Sequence, residues 1–345
     1  MATDRPTRIM LAICTAILVA AALYFARSIF APLAIALFMI AIVWPVQRAL
    51  QRTLPQFVAL FLTLIATVAV IVAFASMVAW GFSVVVQWVI SHAPRFQALY
   101  LEWTQWLEEH DILIVGPLAE RFDAMWLVRL FQTIAGRINN TVGFAVLVFI
   151  FMMLALLETG DLQQRLALLD NRAKSGELAQ ASAEIASKFR KYMLVRTLLS
   201  ALTGVAVGSF ALLTGLELAA AWGIIAFALN YIPFLGPFVA TILPALFAMA
   251  QFDSWEPTAI VILGLFAIQF VIGNYLEPLV AGAALAISPL AVVFAVFFWG
   301  FLWGIPGAFI GVPITIAMLT LCQHSPSTRW IATLLSGKPP NRASN

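Results

Sequence analysis

The chain has 345 residues, of which 63% are hydrophobic and only 10% are charged. Soluble domains carry about 45–50% apolar and about 25% charged residues, so this composition excludes a soluble globular protein. The 19 basic and 16 acidic residues leave a formal net charge of +3, which we assign to the loops between spans and not to a nucleic-acid patch. We therefore expect an all-α, polytopic helical membrane protein surrounded by membrane lipid.

Charged residues divide the sequence into uncharged runs of membrane-span length. A helix rises 1.5 Å per residue, so about 20 residues cross a hydrocarbon core of about 30 Å. The first run could belong to a cleaved signal sequence, but its length and the spans that follow favour a retained helix. The prediction is a single membrane domain over 1–325, with about 7–8 membrane segments. In chain order these are 9–26, 28–47, 56–80, 141–157, 197–216, 219–250 (broken), 257–276 and 289–321 (broken).

Lysine and arginine in the short loops predict the orientation. Basic residues mark the N-terminal tail, the loop after the second span, the segment 159–196 and the tail 326–345. These segments are expected in the cytoplasm, together with both termini. The alternation of spans then places the segment 82–140 outside.

Two segments between the spans have helical patterns of their own. In 82–140, Phe96, Leu99, Trp103 and Trp106 recur at three- and four-residue spacing, and a second amphipathic stretch runs from Leu118 to Trp126. This pair could lie at the membrane surface with its tryptophans at the headgroups, or it could contact another subunit. The cytoplasmic segment 159–196 is predicted to be a helix that enters the membrane behind a basic collar. The collar is Lys188, Arg190, Lys191 and Arg196.

Both long apolar runs contain two prolines seven residues apart, with a glycine beside the first. Proline removes a backbone donor and clashes with the preceding turn, so each run should break near its middle. A broken helix at membrane depth needs protein or a water-filled cavity to satisfy the freed backbone groups, and in transporters such segments mark the substrate site. The residues are Gly236, Pro237 and Pro244 in the first run, and Pro306, Gly307 and Pro313 in the second.

The stretch GNYLEPL, residues 273–279, places Glu277 between long uncharged runs. A charge at the bilayer centre costs about 2.5–3.5 kcal/mol on insertion scales, but Glu277 stands at the end of its span, where water can reach it. Pro278 is expected to stop the helix there, and Asn274 lies one turn earlier on the same face. Glu277 is then either a carboxylate bonded to exposed backbone at the helix end, or a proton- or cation-responsive group.

Motifs for enzyme chemistry are missing from the sequence. It has no nucleotide-binding loop, no nucleophile elbow, no zinc-protease motif and no dinucleotide fingerprint, so ATP hydrolysis by this chain is not expected. The three histidines, His92, His110 and His324, are scattered without ligand spacing. We therefore predict no enzyme activity, no catalytic residue, no metal site and no cofactor.

Three segments together resemble the autoinducer-2 exporter family of bacterial multispanning proteins. They are GNYLEPLVAGAALAISPLAVVFAVFFWGFLWGIPGAFIGVP at 273–313, LNYIPFLGPFVATILP at 229–244 and FRKYMLVRTLLS at 189–200. The family often has basic residues shortly after the Glu-Pro pair, where this chain has Leu279 and Ala283, so an anion contact there is not expected.

The resemblance implies an inner-membrane permease that exports a small polar molecule such as the quorum-sensing signal autoinducer-2. Some members are associated with sodium/proton antiport, so a cation/proton antiporter is the alternative, and a non-transporting oligomeric scaffold is a second. The implied partners are the small polar substrate or cation and further copies of the chain, with a pentameric ring as a candidate form.

The expected pathway follows the two breaks and the Glu-Pro pair. Of its residues, Asn230, Gly236, Asn274, Glu277 and Pro306 are predicted to lie near one another. The full set is Asn230, Pro233, Gly236, Pro237, Asn274, Glu277, Pro278, Trp299, Gly304, Pro306, Gly307 and Pro313.

Overall fold

A computed structural model describes residues 5–110, 138–167, 172–281, 287–324 and 328–335. Nearly all of these residues are helical, which confirms the predicted all-α class. The α-helices are α1 Arg5–Phe25, α2 Arg27–Leu50, α3 Gln56–Ser91, α4 Ala93–Glu109, α5 Ile138–Ala167, α6 Arg172–Leu213, α7 Ala219–Leu229, α8 Leu235–Gln251, α9 Trp255–Val271, α10 Glu277–Ala281, α11 Pro289–Trp303, α12 Ile305–His324 and α13 Arg329–Leu335. A five-residue π-helix, Ile272–Leu276, joins α9 to α10.

The described helices include five that are long and apolar enough to cross a membrane, alongside shorter apolar helices. Many large apolar side chains on them are exposed; Phe25 and Leu213, for example, are 83% and 85% accessible. Such surfaces are stable only against lipid or another protein. The prediction of a polytopic helical membrane protein is therefore confirmed. The five long helices are Arg27–Leu50, Gln56–Ser91, Gln180–Leu213, Trp255–Val280 and Ile305–His324.

Contacts within the chain define two compact units. The first unit comprises 1–68, 143–194 and 281–345, and the second comprises 69–142 and 195–280. Helices α3 and α6 each have residues in both. The single membrane domain predicted over 1–325 stays a prediction.

In the first unit, α2, α3 and α5 pack around a buried core. Ala36, Leu60, Leu64, Met152 and Leu156 are each no more than 3% exposed. These positions recur at helical spacing on their own elements, so each helix contributes one apolar stripe.

Proline inside α2 explains one of the polar contacts of this unit. Pro45 has no backbone N–H, so the carbonyl of Ala41 four residues earlier has no partner in its own helix. The guanidinium of Arg190 donates to this carbonyl at 3.0 Å. Arg190 was predicted to belong to a basic collar, and in the structure it bonds the carbonyl that Pro45 leaves unpaired in the neighbouring helix α2.

In the second unit, α6 and α7 approach each other closely because glycines face each other. A Cβ atom added to Gly223 would lie 2.8 Å from the Gly204 carbonyl oxygen and 3.2 Å from the Gly208 Cα. Gly204 and Gly208 are four apart, a spacing that allows backbones to touch in membrane helices. This contact fixes the register of α7 against α6.

Helix α3 also continues beyond the predicted end of its span at residue 80, to Ser91. Gly81 does not break it, because this glycine packs against Ala221, Ile224 and Ile225 of the second unit. The first predicted amphipathic stretch falls within α4, whereas the second, Leu118 to Trp126, lies outside the described residues.

Candidate transport site

The first broken run forms a helical hairpin, in which α7 and α8 meet at residues 230–234. Both ends of the hairpin lie together, because the Gln251 side chain accepts from the Glu217 N–H and donates to the Gly215 carbonyl, both at 2.8 Å. Its turn instead contacts α6 at Ser200, a point about 20 Å from Leu213 along the helix axis. The run therefore leaves one end of the second unit and returns to that same end, with its turn about 20 Å away beside Ser200.

The hairpin turn is tight and strained. Phe234 has φ 62° and ψ −52°, and the N–H of Leu235 donates to the carbonyl of Pro233 at 2.7 Å. This is a γ-turn with a positive φ at its centre, a rare and strained arrangement for a residue with a side chain. Two residues later a Cβ atom on Gly236 would lie 1.9 Å from the Leu229 carbonyl oxygen, so only glycine fits there.

Two polar side chains at this turn are held against α6. Asn230 is buried, and its amide donates to the Ser200 hydroxyl at 3.3 Å. The Tyr231 hydroxyl donates to Thr197 at 3.0 Å. Because Ser200 and Thr197 are three apart on α6, both contacts lie on one face of that helix.

Glu277 meets the same helix one turn further along. Its Oε1 lies 3.2 Å from Nη1 of Arg196, whose side chain is only 5% exposed, whereas that of Glu277 is 41% exposed. Arg196 and Ser200 are four residues apart, about 6 Å along the helix axis. Asn230 and Glu277 therefore contact α6 at positions four residues apart, Ser200 and Arg196. The pathway predicted to include them stays a prediction.

The backbone before Glu277 is not a regular α-helix. Its N–H donates to the carbonyl of Ile272, five residues earlier, which is the π-helical pattern. The chain then remains helical through Pro278 to Ala281. The prediction that Pro278 stops the helix is wrong, because the π-turn shifts the register just before the proline, and such insertions frequently occur at functional sites.

The Arg196–Glu277 pair joins a buried guanidinium to a carboxylate that is 41% exposed. Solvent therefore screens part of the attraction, and the pair can open on the side of the carboxylate. An apolar groove of about 350 Å³ lies between α6 and the end of α9, with Leu202, Val271 and Leu276 in its lining.

The other predicted residues of the second unit lie at or beside these contacts. Pro233 is buried in the hairpin turn, and Pro237 occupies the first turn of α8. Asn274 is exposed and donates to the Phe270 carbonyl of its own helix at 3.1 Å, so the joint action with Glu277 expected from the sequence stays a prediction. Pro278 is exposed on α10.

The predicted residues of the second break lie in the first unit. Gly304, with φ 69°, separates α11 from α12, and a Cβ atom on Gly307 would lie 1.9 Å from the Trp299 carbonyl oxygen. The same close approach therefore shapes both hairpins. Pro306 is half-buried and Pro313 is buried, and the predicted proximity of Pro306 to Glu277 stays a prediction.

Sequence reasoning missed four members of this site, namely Arg196, Thr197, Ser200 and Tyr231. Arg196 was visible only as the last residue of a basic collar. The available signal was its position, because Arg196 begins a 20-residue uncharged run in the same way that Glu277 ends one. Opposite charges at matching depths of two antiparallel spans suggest a pair.

The opposite end of the second unit holds a separate set of polar contacts. The Trp88 indole donates to the Glu217 carboxylate at 2.5 Å, and Arg95 pairs with Asp253 at 2.5 Å. A cavity of about 340 Å³ lies beside this pair, lined in part by Glu102, Trp255 and Thr258. The ion pairs formed by the described residues of this unit thus lie at its two ends, which is where membrane-spanning helices place charged groups.

Comparisons with a family model and with known proteins all indicate a family of transport proteins. The model of the AI-2E family transporter matches residues 13–327. The AI-2 transport protein TqsA of Escherichia coli (strain K12) is 29% identical over 222 residues, 64% of this chain and 64% of TqsA. Two proteins named "Putative transport protein" are also similar. That of Borreliella burgdorferi is 30% identical over 58% of this chain and 56% of its own length, and YhhT of Escherichia coli (strain K12) is 25% identical over 99% of both chains.

The matches to TqsA and to the Borreliella protein thus span about three fifths of those relatives, whereas the family model spans nearly the whole chain. The helical membrane fold, the hairpin with its glycine and the GNYLEPL segment all lie within the matched residues. This chain belongs to the AI-2E family of transporters.

Proposed function

We propose that this protein is an inner-membrane permease that exports a small polar molecule such as autoinducer-2, without ATP hydrolysis by this chain. The carrying observation is the group of polar contacts around α6. Arg196 with Glu277 and Asn230 with Ser200 gather hydrogen-bonding groups beside a strained hairpin turn. Irregular backbone with polar side chains at membrane depth is characteristic of substrate sites in transporters. The name of TqsA supports the choice of autoinducer-2 as the first substrate to test.

The test is flux from liposomes that contain the purified full-length chain and no ATP. Autoinducer-2 and a panel of small polar metabolites and cations should be compared with empty liposomes. Asn230→Leu removes the amide that bonds Ser200. We therefore expect flux to fall about tenfold, which corresponds to a free-energy change of roughly 1.4 kcal/mol. Thr241→Val is the matched control, because the Thr241 hydroxyl bonds only Pro237 of its own helix among the contacts described. Flux no faster than in empty liposomes would contradict the proposal.

A cation/proton antiporter is the second candidate, and the exposure of Glu277 favours it. This carboxylate is 41% exposed at the end of a span, where it could exchange a proton for a cation. Proton-coupled cation flux in vesicles should then weaken in Glu277→Gln. Unchanged flux would remove this carboxylate from the mechanism.

The orientation with both termini in the cytoplasm is also a proposal. It is supported by the ion pairs, because Arg95 of the segment predicted outside pairs with Asp253, whereas Arg196 of the segment predicted in the cytoplasm pairs with Glu277 at the other end of the second unit. A protease-cleavable tag at the C-terminus should be protected in intact spheroplasts and cut after lysis. Cleavage in intact spheroplasts would reverse the assignment.

Homo-oligomer formation, with a pentameric ring as a candidate form, remains a proposal as well. The exposed amide of Asn274 within a span supports it, because polar groups at this depth are stable against protein or water and not against lipid. Native mass spectrometry of the detergent-solubilised chain tests it. A single monomeric species at the lowest detergent concentration that keeps the protein in solution would argue against homo-oligomer formation.

A further inference from the structure

We propose that Arg196 sets the charge selectivity of transport. By neutralising Glu277, it makes the site suited to uncharged, hydroxylated molecules and unsuited to ions. This inference rests on the proposed function as a permease and specifies its substrate class. It assigns to Arg196 a role that neither the family match nor the relatives' names give.

The argument begins with the unequal exposure of the two partners. Arg196 is almost fully buried, while Glu277 is partly exposed, with 3.2 Å between Nη1 and Oε1. The carboxylate is therefore the half of the pair that a solute contacts, and the buried guanidinium neutralises the charge of that carboxylate. A solute that reaches Glu277 encounters a dipole and not a net charge.

The neighbouring side chains on α6 and in the hairpin turn are polar but uncharged. Thr197 is exposed, and Tyr231, which bonds it, is half-buried, whereas Asn230 and Ser200 are buried and bond each other. The two accessible hydroxyls and the carboxylate offer both donors and acceptors, which matches a molecule that carries several hydroxyl groups. An ion would need a net opposite charge to replace its hydration, and the pair provides none.

The other basic residues of the collar, Lys188, Arg190 and Lys191, belong to the first unit. Lys188 bonds Glu184 and Thr320, and Arg190 bonds the Ala41 carbonyl. Lys191 is exposed. Arg196 is the member of the collar that pairs with Glu277.

The test uses the full-length chain in liposomes with three five-carbon probes of similar size. D-Ribose is neutral, D-ribonate is an anion, and 1-amino-1-deoxy-D-ribitol is a cation. The wild type should favour ribose over both ions. Arg196→Gln leaves Glu277 uncompensated and should raise the cation-to-anion flux ratio about tenfold or more, because a unit charge within several ångströms acts strongly at an effective dielectric constant of about 20.

The reciprocal variants make the test specific. Glu277→Gln should lower the same ratio by a similar factor, and the double variant Arg196→Gln/Glu277→Gln should return it close to the wild-type value. Arg196→Lys keeps the charge and should keep the ratio. Tyr231→Phe removes a hydroxyl near the pair but no charge, so it should lower ribose flux without changing the ratio.

Each outcome decides the question, because a ratio does not depend on the amount of active protein. An equal or complete loss of all three fluxes in either single variant assigns the pair a structural role and overturns the inference. Ribose flux by the wild type together with unchanged ratios also overturns it, while the proposed permease function stands. No flux of autoinducer-2 or ribose by the wild type overturns the permease function and this inference with it.

Discussion

The hairpin between α7 and α8 depends on Gly236, and replacing this residue by alanine tests the geometry directly. The added Cβ atom would lie 1.9 Å from the Leu229 carbonyl oxygen and 3.1 Å from the Asn230 nitrogen. Non-bonded contacts of this kind need at least about 3 Å, so α8 must retreat by about 1 Å from a backbone atom that cannot rotate away. Overpacking of this size costs about 1–3 kcal/mol, or more where backbone must move, and we expect about 3 kcal/mol. Alanine's better helix propensity returns no more than about 1 kcal/mol.

The expected result is a clear loss of thermal stability. The net cost is then about 2–3 kcal/mol, and at about 2 °C per kcal/mol for a chain of this size Gly236→Ala should lower the apparent Tm by about 4–6 °C. It should also lower transport, because the retreat pulls Asn230 from Ser200. Gly143→Ala is the matched control, since its added Cβ meets no atom within 4 Å. The purified variants should be compared by fluorescence-monitored melting in detergent, and a Gly236→Ala protein that melts within 1 °C of the wild type would refute the reasoning.

Two further predictions concern the strained turn and the carbonyl freed by Pro45. Phe234→Gly should raise the apparent Tm, because it relieves about 1–3 kcal/mol of positive-φ strain at an exposed residue. The control Phe238→Gly, at an exposed site in the regular part of α8, should lower the apparent Tm. A lower apparent Tm in both variants would contradict the γ-turn. Arg190→Ala should cost about 1.5–3 kcal/mol by removing the charged donor to Ala41. That cost should shrink in a Pro45→Ala background, where the helix supplies its own N–H to this carbonyl, and equal costs in both backgrounds would show that the two residues act independently.

The sequence was sufficient for the fold class and for the position of the breaks. Uncharged runs of about 20 residues identify spans because the bilayer imposes one length on every crossing helix. The Gly-Pro pair at 236–237 predicted a break, and the helices do part at Asn230–Phe234. Local chemistry determines such features, so they can be read from local sequence.

The contacts of the site could not be read in the same way. A basic residue before an uncharged run looks the same in the sequence whether it meets phosphate headgroups or, like Arg196, a carboxylate from a distant helix. The burial of Arg196 and its pairing with Glu277, 81 residues further along the chain, are tertiary properties. The prediction that Pro278 stops the helix was wrong for a related reason. The π-helical turn before it changes the backbone hydrogen-bond register, and the sequence carries no signal for that change.

The site joins two irregular elements to one regular helix, and this suggests which parts move during transport. Helix α6 is continuous from Arg172 to Leu213 and is locked to α7 by backbone contact at Gly204 and Gly223. The γ-turn at Phe234 and the π-turn before Glu277 are instead strained or register-shifted backbone, and each is tied to α6 by polar contacts, Asn230 to Ser200 and Glu277 to Arg196. Hydrogen bonds and ion pairs can exchange for contacts with a polar solute, whereas packed glycines cannot. We therefore expect α6 and α7 to remain a fixed frame while the hairpin turn and the end of α9 change conformation as solute replaces these contacts.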